Sequence, residues 1–227
     1  MKSSPYKVSV ILLAGGQGSR MQSQTPKQFL NLQGKPVALH SFEQFSSCPH
    51  VIEIIVVCEP QFHSLFPRFT LPEVRFALPG NRRQDSVYNG FLTISSQPDL
   101  VCVHDSARPF LSKDSLEQLL EEARRYGAAA LAVPAKNTIK ETDPNQFIQR
   151  TLDRSKLWEM HTPQVATPAL LKKGFDIALE YNLDVTDDAS LVELTGHPVK
   201  LVKDSYQNFK ITTPEDWQVA LHTRFPL

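Results

Sequence analysis

Net charge is the first thing this sequence lacks. Its 24 Lys and Arg balance 24 Asp and Glu, so with neutral histidines the chain carries none. There is no bulk basic field to draw in nucleic acid, and any anion site must be local. Cysteine is scarce: Cys48, Cys58 and Cys102 are the only three, and none stands at a metal-ligand spacing. A sparse, odd count suits a reducing cytosol. Cys58 and Cys102 lie inside apolar strand-like runs, where free thiols are commonly buried. No apolar run is long enough to span a membrane, and no signal-peptide core or transit peptide precedes the first strand. The expectation is a cytoplasmic protein with no nucleic-acid or membrane partner. Repeats and low-complexity tracts are also missing.

What is there is an ordinary globular composition, 41% apolar and 21% charged over 227 residues. That length suits one large α/β domain or two small ones. Apolar runs predict strands at 8–13, 51–58, 74–78, 100–103 and 128–133. Between them, helices are predicted from Gly34-Lys35-Pro36 through Phe45, at 60–66, at 82–95, and from a Ser112 cap to Gly127. Later helices cover 168–181 and run from Thr186-Asp187-Asp188 to Leu194. Short strands follow at 199–202 and 208–211, and Thr213-Pro214-Glu215-Asp216 opens a last helix. Such alternation argues for a three-layer, mostly parallel α/β sheet, which binds ligands where its strands end.

The series breaks at Pro134. Two period-2 stretches, 138–142 and 147–152, flank Asp143-Pro144-Asn145 and predict a hairpin. A lone hairpin is marginal in water. It must pack on the body of the domain or on a second copy of the chain. Its intrusion into a regular series favours the second copy, through a β-arm at 135–157 of a single domain spanning 1–227.

The first strand runs into Ala14-Gly15-Gly16-Gln17-Gly18-Ser19-Arg20-Met21, then Thr25-Pro26-Lys27-Gln28. The glycines let backbone N–H groups turn toward an anion. Arg20 and Lys27 add positive charge beside them. A dinucleotide fingerprint fails, because Met21 stands where its third glycine belongs. A Walker loop fails too, since no Gly-Lys-Ser/Thr follows. A nucleoside-triphosphate loop of another type remains.

Four further blocks carry chemistry. Pro79-Gly80-Asn81-Arg82-Arg83-Gln84-Asp85-Ser86 enters a helix whose first amides favour an anion or a base; it also reads as a plain helix entry with a solvated arginine pair. His104-Asp105-Ser106-Ala107-Arg108-Pro109 ends a buried strand. Asp105 there can hold a divalent cation that bridges phosphates, or simply pair with Arg108. Asp153-Arg154, with His161-Thr162-Pro163-Gln164, offers Arg154 and Thr162 as clamps on a phosphate or sugar hydroxyl. Lys210 sits between a strand and a helix cap. The last two blocks read equally as solvated surface cations.

Taken in order, Ala14–Met21, Pro26-Lys27-Gln28, Asp85-Ser86-Val87, Val103–Pro109, Asp153-Arg154, Thr162-Pro163-Gln164, Thr186–Ser190 and Lys210–Asp216 resemble the 2-C-methyl-D-erythritol 4-phosphate cytidylyltransferase family. The resemblance spans nearly the whole chain. It implies a Rossmann-like nucleotidyltransferase fold and a homodimer with a projecting β-arm. It implies transfer of CMP from CTP to a sugar-alcohol phosphate, with Mg²⁺ or another divalent cation, in non-mevalonate isoprenoid synthesis. By matching position it places Ala14, Gly15, Gly16, Gly18, Arg20 and Lys27 along the triphosphate, with Arg20, Lys27 and Lys210 catalytic. Gly80, Asn81 and Ser86 face the nucleotide. Asp105 sits at the metal and ribose, with Ser106 beside it. Arg108, Thr138, Arg154 and Thr162 reach the acceptor, the arm residues coming from the partner subunit. Gly15 stands where the family usually has alanine, Asn81 where it has an acid, and Ser106 where it has alanine or glycine.

Two other readings stay in play. A ribitol 5-phosphate cytidylyltransferase shares the glycine loop but tends to carry Asp-Gly-Val-Arg-Pro; the Asp-Ser-Ala-Arg-Pro here is nearer the methylerythritol type. A nucleotide-binding regulator without turnover would not need both loop cations and Asp105.

Overall fold

The computed structural model describes residues 6–16 and 25–226. In chain order these form β1 (Val8–Leu13), a ribbon of β2 (Asn31–Leu32) and β3 (Lys35–Pro36), α1 (Val37–Ser46), β4 (Val51–Val57) and β5 (Glu73–Ala77). Next come α2 (Arg83–Thr93), β6 (Leu100–Asp105), α3 (Lys113–Tyr126) and β7 (Ala128–Pro134). A hairpin of β8 (Lys140–Thr142) and β9 (Ile148–Thr151) leads to β10 (Trp158–Ala166), α4 (Pro168–Glu180), α5 (Asp188–Glu193), β11 (Lys200–Lys203) and α6 (Pro214–His222).

The seven-stranded sheet has the order β11-β7-β10-β6-β1-β4-β5. Its pairs are parallel except those of β10, which runs antiparallel to both β6 and β7. Side chains of β1 leave alternately to the two faces, and both faces are covered. Val8, Val10 and Leu12 pack with Phe42 and Phe45 of α1 and Leu119 and Leu120 of α3. Ile11 packs in a second cluster with Val87 of α2 and Leu171 and Phe175 of α4. The expected three-layer, mostly parallel architecture is therefore what forms.

Local chemistry sets the boundaries. Ser112 caps α3 by accepting the Ser115 N–H, and Gly127 closes it with φ 82°. Thr213 and Asp216 form a reciprocal capping box at α6. Three expectations need correction. The helix expected from Gly34 begins only at Val37, because Gly34, at φ 100°, turns the β2–β3 ribbon and Pro36 is still extended. The strand expected at 208–211 is absent: the segment is a loop, tied to its neighbour by the Ile211 N–H on the Ala107 carbonyl. Residues 158–166, where no strand was expected, form β10. A proline inside a strand argues against that strand. Pro163 is accommodated at a bulge, where pairing with β7 skips from Met160 to Gln164.

Helices α4 and α5 meet at Gly174, where a Cβ would lie 2.3 Å from the Leu191 carbonyl oxygen. Gly174→Ala is expected to lower the unfolding free energy by about 1–3 kcal/mol through overpacking. Urea denaturation measures this; an unchanged midpoint would show that the two helices separate freely.

Candidate active site

Strands β1 and β6 are paired in register, so that Leu13 lies against Asp105 at their carboxyl ends. Both chain exits therefore open into one cleft of about 640 Å³. It is lined by Gly15, Gly16 and Lys27 from the first loop, and by Gly80, Asn81 and Ser86 from the entry to α2. Asp105, Ser106 and Lys210 complete the expected residues found there. Gly18 and Arg20 lie outside the described residues.

The backbone of the cleft is shaped by close approach. A Cβ on Gly15 would stand 2.4 Å from Pro79 Cγ, which explains glycine at this position here. A Cβ on Gly80 would stand 2.4 Å from Asp85 Cβ. Gly80 can therefore lie against the first turn of α2, where its N–H donates to Ser86 Oγ at 2.9 Å. Ala14 itself is buried. Its carbonyl and that of Gly16 both accept from the Gln28 amide, at 2.7 and 2.8 Å, so Gln28 clamps the glycine loop. The Ser106 hydroxyl donates to the Leu13 carbonyl at 2.7 Å and splices the ends of β6 and β1. The Ser106 hydroxyl is thus spent on the backbone.

Charge in the cleft is arranged in alternation. Arg83 forks onto Asp188 of α5 at 2.8 and 3.2 Å, and its Nε donates to Asp105 Oδ1 at 3.1 Å. Lys210 Nζ reaches Asp105 Oδ2 at 2.6 Å. The arginine pair expected to be solvated is split in role. Arg82 stays on the surface and pairs with Asp85, whereas Arg83 is drawn inward between two acids. The pairing of Asp105 with Arg108 is likewise replaced by Arg83 and Lys210. Burial pushes the Asp105 pKa up, but Arg83 and Lys210 outweigh it and hold the carboxyl well below the usual range. Asp105 is ionised at neutral pH.

Behind the cleft lies a neutral hydrogen-bonded chain. The Asp105 N–H donates to Thr162 Oγ1 at 3.0 Å, and that hydroxyl meets His104 Nδ1 at 3.1 Å. His104 Nε2 lies 3.2 Å from both Ser41 Oγ and the Arg108 carbonyl. The carbonyl needs a donor, so the proton resides on Nε2 and Nδ1 accepts from Thr162. Burial lowers the His104 pKa to about 4, which keeps this ring neutral. Thr162 is buried in this arrangement. Arg108 is turned away from the cleft, donating to the carbonyls of Asn208 at 2.7 Å and Met160 at 3.2 Å. Thr138 and Arg154 stand exposed at the base of the β8–β9 hairpin and do not line this cleft, with Arg154 donating to the Lys136 carbonyl.

Among the described residues no three His, Cys, Asp or Glu side chains cluster as a metal cage. Mg²⁺ at a phosphate site needs only one or two carboxylates, with phosphate oxygens and water filling the rest. Asp105, ionised at the rim of an anion-binding loop, fits that smaller requirement. Arg83, Asp188, Gln28 and His104 are the residues that sequence reasoning left without a role. Gln28 adjoins Lys27 and His104 adjoins Asp105, which are the usable signals; Arg83 and Asp188 are joined to the site only by the fold. No helix among the described residues is long and apolar enough to cross a membrane.

A family model described as IspD, 2-C-methyl-D-erythritol 4-phosphate cytidylyltransferase, matches residues 8–223. The chloroplastic 2-C-methyl-D-erythritol 4-phosphate cytidylyltransferase of Oryza sativa is 50% identical over 217 residues, covering 94% of this chain and 73% of that protein. Its namesake from Chlamydia pneumoniae is 44% identical over 214 residues, covering 94% and 97%. Among solved structures, the Francisella tularensis enzyme of that name superposes with a TM-score of 0.80 at 32% identity, covering 94% of this chain and 98% of that one. The 4-diphosphocytidyl-2C-methyl-D-erythritol synthase of Anaerococcus prevotii gives 0.84 at 26% identity, covering 96% and 98%.

The buried histidine sets a pH dependence. His104 takes up its proton near pH 4 when folded, but near its ordinary value of 6.5 when unfolded. Between those values the unfolded chain binds more protons, so stability falls as pH drops through that window. His104 is expected to cost about 3 kcal/mol between pH 7 and pH 4. Urea unfolding of wild type and His104→Gln at several pH values checks this; curves of equal slope would refute it.

Proposed function

This chain belongs to the 2-C-methyl-D-erythritol 4-phosphate cytidylyltransferase family, and we propose that its cleft carries out cytidylyl transfer as follows. CTP lies along the glycine loop with its base toward Gly80, Asn81 and Ser86. The acceptor, 2-C-methyl-D-erythritol 4-phosphate, brings its phosphate to the Lys210 side. A non-bridging oxygen of that phosphate attacks the α-phosphorus in line. The new P–O bond forms as the bond from the α-phosphorus to the bridging oxygen breaks, and pyrophosphate leaves with the electron pair. The products are 4-diphosphocytidyl-2-C-methyl-D-erythritol and pyrophosphate, within isoprenoid biosynthesis.

The observation that carries this reading is the convergence of Gly15, Gly16, Lys27, Gly80, Asp105 and Lys210, from four separate stretches of chain, on one cleft. The nucleophile is already an anion, so no strong general base is required. His104, the histidine nearest the site in sequence, is buried and neutral in support of Asp105. What the reaction demands is positive charge fixed before two anions meet. Lys27 and Lys210 supply it within the described residues, and Arg20 adds to it by its place in the family pattern. When bound, Mg²⁺ would be held by phosphate oxygens with Asp105 and would neutralise further charge.

The acceptor site is completed by a second copy of the chain. The β8–β9 hairpin leaves Phe147 72% and Ile148 63% exposed, apolar surface that a partner would cover. Thr138 and Arg154, exposed at its base, then reach the partner's cleft. Three free cysteines suit a reducing compartment such as the cytoplasm.

Lys27→Ala is expected to lower kcat by ~10²–10³, as for loss of a single transition-state donor. A change confined to KM would make Lys27 a binding residue only. Arg154→Ala should chiefly raise KM for the sugar phosphate; a rise confined to KM for CTP would overturn its placement. Pyrophosphate release measured with methylerythritol and ribitol phosphates side by side tests the acceptor, and faster turnover with ribitol phosphate would reverse the assignment.

A further inference from the structure

We propose that Asp188, which does not line the cleft, is a positioning residue for the Lys210 ammonium, acting through Arg83 and Asp105. The inference rests on the reading of the site above. Four charges form a single file, Asp188, Arg83, Asp105 and Lys210, with successive contacts of 2.8, 3.1 and 2.6 Å. They come from four different places: the start of α5, the start of α2, the end of β6, and the loop before α6.

Exposure alternates along the file. The acids are buried, with the Asp188 side chain 3% exposed and that of Asp105 10%, while the cations Arg83 and Lys210 are 27% and 36% exposed and both line the cleft. The two cations differ in their anchoring: Arg83 is held by Asp188 as well as by Asp105, whereas Lys210 reaches Asp105. Asp188 makes a two-pronged contact with a planar guanidinium, which fixes the plane as well as the place of Arg83. With its two terminal nitrogens turned onto Asp188, Arg83 presents Nε to Asp105, and Asp105 Oδ1 is held by it. Oδ2 is then aimed at the Lys210 ammonium.

The file also solves a problem that arises when phosphate enters. Lys210 must turn part of its hydrogen bonding from Asp105 to the phosphate. An acid with no other partner would resist, because a buried carboxylate stripped of its counter-ion is costly. Arg83, which itself lines the cleft, stays on Asp105 as that counter-ion because Asp188 holds its fork. Without Asp188, Arg83 carries an unmatched charge beside a polyanion and is drawn toward it. Asp105 then keeps Lys210, and the acceptor phosphate is poorly placed.

A double-mutant cycle on the full-length enzyme, with CTP, Mg²⁺ and 2-C-methyl-D-erythritol 4-phosphate, separates this role from mere support of the fold. Asp188→Asn is expected to lower kcat roughly tenfold. In a Lys210→Ala background the same change should lower kcat by less than about twofold, since the group it positions is gone. Losses that multiply in full in both backgrounds, with melting curves showing folded protein, overturn the proposal. If Asp188→Asn does not fold, Arg83→Lys goes through the same cycle, because it keeps a cation at Asp105 and loses the fork to Asp188. Wild-type enzyme without turnover in this assay would overturn the reading of the site and the proposal with it. Wild-type turnover with fully multiplicative losses would overturn the proposal alone.

Discussion

Asp105 is a carboxylate almost sealed from water, and the site depends on how its charge is matched. It ends β6, and the pairing of β6 with β1 brings it level with the start of the glycine loop. Two cations from distant segments close on its two oxygens. One is also forked onto Asp188, and the other reaches from the cleft to Asp105. An acid in this setting can keep its charge only while at least one of them remains. Because Arg83 is anchored on Asp188 as well, Asp105 would keep a counter-ion if Lys210 turned to a phosphate.

The surrounding scaffold is built to keep that arrangement from drifting. Thr162 Oγ1 accepts the Asp105 N–H, and His104, neutral in its pocket, accepts a hydrogen bond from the Thr162 hydroxyl. A charged imidazole here would add a competing cation, and burial prevents it. The loop bearing Lys210 has no strand to stiffen it. It is held instead by side chains: Asn208 donates to the Thr162 carbonyl and to Asp204, and Arg108 donates to the Asn208 carbonyl. Residues with the look of ligands, Arg108 and Thr162 among them, thus hold the wall of the cleft from behind.

Glycine acts at the opposite side of the cleft. Gly15 and Gly80 are small because Pro79 and Asp85 press on them, and the two segments can then approach closely. The described start of the first loop is held from below by Gln28, whose amide spans the Ala14 and Gly16 carbonyls.

Local chemistry was readable without coordinates. Buried strands declared themselves by β-branched runs, α3 by its serine cap and closing glycine, and α6 by its capping box, since these signals act within a few residues. The glycine loop, Lys27, Asp105 and Lys210 were legible for the same reason, as short blocks in a fixed order. What escaped is what the fold brings together from afar. Strand β10 hid behind a proline, because only its bulge against β7 makes that proline harmless. The segment at 208–211 had the composition of a strand but finds no ladder to join. Arg83 looked like half of a solvated pair, and its partners stand 22 and 105 residues away. Sequence alone determined which groups are present and the order in which they come. Only the tertiary structure decided which of them lose water, and burial is what turns an exposed charge into one that must be matched.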